Sequence, residues 1–101
     1  PKDIDLIVCG EIIEHLSNPG ILLTTLRLLN KEIIISVPNA YSEAGHRHIQ
    51  QGFENVNIDH VCWYSYRTLL TLIEKCGFRL KDWMWYGGKP LFAEGLIMII
   101  Q

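Results

Sequence analysis

The chain has 101 residues, with nine Lys+Arg against eleven Asp+Glu and a net charge of −2. That balance supplies no global field to gather nucleic acid or an acidic membrane surface. Hydrophobic residues make up 49% and charged residues 20%, which suits one packed core and excludes a disordered chain. No apolar run approaches the ~20 residues that span a bilayer. Asp3 and Asp5 stand where a signal peptide carries basic residues. Cys9, Cys62 and Cys76 form no CxxC pair, so neither a zinc knuckle nor a disulfide framework is indicated. A reducing, cytoplasmic setting is expected.

In chain order, Leu6-Ile7-Val8-Cys9 reads as a short strand ended by Gly10, and Ile33-Ile34-Ile35-Ser36-Val37 as a second closed by Pro38. Neither run alternates with polar residues, which predicts parallel strands buried on both faces. Between them Asn18 fits an N-cap and Pro19 the first helical position, and Leu22, Leu26 and Leu29 form one apolar stripe. Strand, helix, strand implies a right-handed βαβ crossover in an α/β sheet. The stretch from 38 to 64 lacks strong periodicity, and a short helix is expected around His46–Phe53. Ser65 caps a further helix carrying Leu69, Leu72, Ile73 and Cys76, with Gly77 as its left-handed stop. Phe78 to Tyr86 reads as a strand whose alternation shifts near Asp82, and Leu96 to Ile100 as the last strand. Two consecutive strands predict an antiparallel hairpin at one sheet edge.

Open α/β sheets bind ligands beyond the C-terminal ends of their strands. Two segments sit there, Cys9 to Leu16 and Pro38-Asn39-Ala40-Tyr41. If the first opens a helical turn, Glu11, Glu14 and His15 share one face, leaving Ile12, Ile13 and Leu16 to pack. Two carboxylates and an imidazole can bind a hard divalent cation, position an acceptor or take a proton near neutral pH. Acids also favour a helix's first turn for electrostatic reasons alone. Asp59-His60 offers a remote imidazole that could complete the cluster, or a residue that merely caps a turn.

Taken in order, Asp5-Leu6-Ile7-Val8-Cys9-Gly10-Glu11-Ile12-Ile13-Glu14-His15-Leu16, Asn18-Pro19-Gly20 and Ile33-Ile34-Ile35-Ser36-Val37-Pro38-Asn39 resemble the second half of a class I S-adenosylmethionine-dependent methyltransferase. Asp59-His60-Val61, Trp63-Tyr64-Ser65, Leu69-Leu70 and Cys76-Gly77-Phe78 continue the pattern. The resemblance implies an α/β fold: the C-terminal portion of a Rossmann-like methyltransferase sheet, parallel strands with an antiparallel edge hairpin. Residues 1–101 would then be the C-terminal portion of a single domain, its glycine-rich N-terminal half absent. The opening at Pro1, directly into a strand, fits a fragment.

The cofactor implied is S-adenosylmethionine, lined by Cys9, Gly10 and Glu11. Asn39 and Tyr41 would bind the acceptor, and Glu14, His15 and His60 would be catalytic without a metal. The implied function is methyl transfer to a small-molecule acceptor. With no Gly-x-Gly after a strand, the chain alone is expected to be inactive until the missing half or a partner chain completes the cofactor pocket. An alternative resemblance is to the metal-dependent small-RNA 3′-terminal 2′-O-methyltransferases. There Glu11, Glu14, His15 and His60 would hold Mg or Mn, although no basic stripe for RNA is present. A third reading is a non-catalytic methyltransferase-like interaction module, with Trp63, Trp83, Trp85 and Tyr86 as an exposed patch.

Overall fold

A run of isoleucines cannot stay in water, and its β-branched side chains suit a pleated surface. In the computed structural model, which describes residues 3–54 and 56–101, this run is the central strand β2, Glu32–Pro38. It pairs in parallel with β1, Leu6–Gly10, with Val8 opposite Ile34 and Cys9 opposite Ile35. Its other edge pairs antiparallel with β4, Gly95–Ile100, which in turn pairs antiparallel with β3, Leu80–Tyr86. The sheet order is β1-β2-β4-β3, so the expected terminal hairpin is present with β3 as the edge. The β3–β4 register shifts between Leu80 and Asp82, where the sequence alternation also shifts.

Three α-helices, α1 (Pro19–Arg27), α2 (Glu43–Gln50) and α3 (Tyr66–Lys75), accompany the sheet. Leu23 of α1 and Leu69 and Ile73 of α3 are fully buried in one cluster with Ile33, Ile35, Val37, Leu96, Met98 and Ile100. Ser65 caps α3 as expected: its hydroxyl accepts from Thr68 N, and Thr68 Oγ1 accepts from Ser65 N. Gly77 ends it at φ +90°, a conformation that only a residue without Cβ adopts cheaply.

Four local expectations need correction. Asn18 holds the cap position of α1, but its side chain makes no capping bond. The inward face of α1 centres on Leu23, with Leu22 and Leu26 beside it; Leu29 lies past the helix end and is exposed. Helix α2 starts earlier than His46, because the Ser42 hydroxyl accepts from Gly45 N and so fixes its first turn. Burial on both sheet faces is not met among the described residues. The helical core covers the face carrying Ile33, Ile35 and Val37, whereas Leu6, Val8 and Met84 are exposed.

Candidate active site

Beyond β1 the chain turns sharply. Glu11 has φ +51°, and its N–H donates to Ser36 O at 2.9 Å, extending the parallel ladder by one residue. A short 3₁₀ turn, Ile13–His15, follows. Ile13 is fully buried and draws its neighbour Glu14 into the interior, where Glu14 is 1% exposed. The proposed helical face of Glu11, Glu14 and His15 therefore does not form, since the left-handed backbone at Glu11 interrupts it. Ile12 stays exposed, and Leu16 packs only partly.

His60 arrives from the other side. Asn57 Oδ1 accepts from Asp59 N at 2.9 Å and Asn57 O from His60 N at 2.9 Å, a side-chain-assisted turn. Val61 N and Cys62 N then both donate to Glu14 O, at 2.8 and 3.2 Å, clamping the loop onto the 3₁₀ turn. The outcome is a tight group. Glu14 Oε2 lies 3.9 Å from His15 Nε2 and 4.0 Å from His60 Nε2. The two imidazoles meet edge to face with centroids 4.7 Å apart.

Two features decide what this group could hold. His15 Nδ1–H donates to Asp59 O at 3.1 Å, which orients the ring and leaves Nε2 facing the group. Both Glu14 carboxylate oxygens are buried and, among the described residues, have no hydrogen-bond partner. Burying an unpaired carboxylate costs several kcal/mol in effective terms, so the arrangement is suited to a positive charge between Glu14 and the imidazoles. One ligand atom from each of the three residues falls within 4.8 Å of the others, the spacing of a cation centre. The buried, unpartnered oxygens are the observation that fits a divalent ion.

Glu11 stands outside that trio; its Oε1 accepts from Tyr86 Oη–H at 2.9 Å. Burial, then the Glu11 hydrogen bond and the Glu11, Glu14 and Glu94 charges, push the Tyr86 phenol up to about 12. Burial first, then Cys62 and Glu14, also raises the Tyr64 phenol. Cys9 lies in the core with its thiol pushed up by burial, so only its backbone reaches the strand end, whereas Gly10 is exposed.

Asn39 is buried and spends its amide internally: Nδ2 donates to Leu91 O and Ala93 O at 2.8 and 2.9 Å, and Oδ1 accepts from Tyr41 N. What it does here is hold the 91–93 turn over the end of β2. Tyr41 is exposed beside His46. The aromatic residues do not form one patch. Trp63 packs against Gly45, Trp83 stacks with Tyr66 and Trp85, and Tyr86 turns toward Glu11. A cavity of about 150 Å³ beside His60 is lined in part by His48, Asn57, Trp63 and Glu94. Tyr86 and the Asp59 carbonyl are the contributors that residue spacing missed.

The profile of the methyltransferase domain family matches residues 1–82. The chain belongs to that family. Among solved structures, this methyltransferase domain is similar to the small RNA methyltransferase HEN1, at 21% identity and TM-score 0.77 over 98% of the chain. It is similar to a SAM-dependent methyltransferase from Archaeoglobus fulgidus at 17% identity and TM-score 0.71, again over 98%. It also resembles the methyltransferase domain of bacterial CtHen1-CN at 18% identity and TM-score 0.63 over 95%. The domain spans 14%, 59% and 52% of those three chains, respectively. At such identities the likeness is one of fold: a Rossmann-like sheet. No curated protein matches the chain. Among the described residues, no helix is long and apolar enough to cross a membrane.

Proposed function

We propose that this methyltransferase domain serves S-adenosylmethionine-dependent methyl transfer to the 2′-hydroxyl of a 3′-terminal ribose, with Glu11, Glu14, His15 and His60 holding a divalent cation beside it. The observation that carries the reading is the Glu14 carboxylate, buried and unpartnered between two imidazole nitrogens. Carboxylates with imidazoles and no thiolate suit Mg or Mn better than a structural zinc. The descriptions of two similar folds as a small RNA methyltransferase and a bacterial Hen1 domain support the acceptor class.

A divalent cation held by these residues would supply positive charge for orienting an acceptor oxygen. The protein's own part is alignment. Glu14 is fixed by the buried Ile13 and by the loop bonds to its carbonyl, and His15 is turned by Asp59. Since Glu14 is buried and His15 exposed, the acceptor reaches the group from the His15 side. The donor, a methyl on a sulfonium, needs an open edge at the end of β1. Gly10 offers one, because the nearest atom to a Cβ placed there is Ser36 Oγ at 3.8 Å. Alignment of donor carbon and acceptor oxygen is the main source of rate in such a displacement. Residues outside these 101, or a second chain, complete the cofactor pocket in this reading, as no Gly-x-Gly follows a strand here.

A small hydroxylated acceptor is the second reading, favoured by the net charge of −2 and by the cavity beside His60. The test gives the full-length protein labelled S-adenosylmethionine and a single-stranded RNA with a free 3′-terminal diol. Label on the terminal 2′-oxygen, lost with EDTA and restored by Mn²⁺, is the expected result. Transfer undiminished by EDTA would overturn the cation reading, and label on free adenosine but not RNA would select the small acceptor.

A further inference from the structure

Glu11 is an unusual residue for its position. Its φ of +51° belongs to the left-handed region, where glycine or asparagine sits more cheaply. Its carboxylate is held by a residue 75 positions away. Tyr86 ends β3 and lies opposite Gly95, the first residue of β4, which is itself opposite Pro38 of β2. A Cβ on Gly95 would overlap Tyr86 Cζ and Oη, so the phenol passes over β4 where a glycine leaves it room. From there the hydroxyl reaches over to Glu11 Oε1 at 2.9 Å. The bond occupies one carboxylate oxygen, and no described residue donates a hydrogen bond to the second.

We propose that Tyr86, seated over Gly95, is the positioning residue for Glu11, holding its carboxylate at the edge of the Glu14–His15–His60 group as the outer ligand of the same cation. The inference rests on the reading of that group as a cation centre. Tyr86 touches neither donor nor acceptor; it acts through Glu11. Hydrogen-bonded partners of metal ligands change metal affinity by about 10- to 100-fold when lost.

Mn²⁺ affinity, read from the free-ion electron paramagnetic resonance signal on the full chain, provides the test. Tyr86→Phe keeps the ring over Gly95 and removes only the hydroxyl; it is expected to weaken Mn²⁺ binding by about tenfold. Glu11→Gln should weaken it at least as much, and the double variant should be no weaker than Glu11→Gln alone. Tyr86→Phe that leaves affinity unchanged, or that weakens it equally in the Glu11→Gln background, overturns the proposal, whatever the melting temperature. Failure of the wild-type chain to bind Mn²⁺, or an unaltered affinity in Glu14→Met, would instead defeat the cation reading beneath it.

Discussion

Glu14→Met is expected to make the cation-free protein more stable while weakening Mn²⁺ binding by at least about 100-fold. Methionine has nearly the length of glutamate and fills the same space without a charge. Glu14 is 1% exposed, and among the described residues neither of its oxygens accepts a hydrogen bond. Replacing a poorly compensated buried ion by an apolar residue of similar volume is neutral or stabilising, by up to about 4 kcal/mol. A ligand lost outright costs at least the upper end of what a lost supporting hydrogen bond costs, hence the ~100-fold figure. Urea unfolding in EDTA and Mn²⁺ titration of the same preparation check both halves. Stability and function pulling apart at one residue is the mark of a site maintained against the interests of the fold. A variant less stable than the wild type would mean that Glu14 has an internal partner.

Ile35→Ala is expected to destabilise the fold by about 2–5 kcal/mol, a large part of the ~5–15 kcal/mol that holds a domain together. Ile35 is fully buried, lies opposite Cys9 of β1 and Met98 of β4, and sits in the cluster formed with α1 and α3. Val8, on the neighbouring strand, is 62% exposed, and Val8→Ala should cost no more than about 0.5 kcal/mol. Midpoints of urea unfolding at unchanged slope give both values. Equal losses at the two positions would contradict the assignment of one covered and one open sheet face.

Much of the fold was legible because its signals are local. An isoleucine run, a serine at a helix start and a glycine after the last apolar turn depend on neighbours in sequence, and all three sit as read. The shift near Asp82 was legible for the same reason. Helix α2 was misplaced because Gly45, a poor helix former, obscured a start that depends on the Ser42 hydroxyl. Val8 is exposed because, among the described residues, helices cover only the other face of the sheet, and an unbroken apolar run does not say how many faces are covered within them. At the site, residue type brought Glu14, His15 and His60 forward, yet the spacing argument that added Glu11 assumed a helix the backbone does not make. The Tyr86–Glu11 contact was out of reach, since it depends on the register of β3 against β4 and on strand order across the sheet. Asp59 contributes a backbone carbonyl, which no side-chain pattern reveals.

A positive ion belongs between Glu14 and the two imidazoles in the proposed site. Anomalous diffraction from Mn²⁺-soaked crystals of the full-length protein measures that directly. One peak bonded to the Glu14 carboxylate and to Nε2 of both His15 and His60 is the predicted result. A map in which Mn²⁺ binds elsewhere, with Glu14 turned to an internal donor, would contradict it.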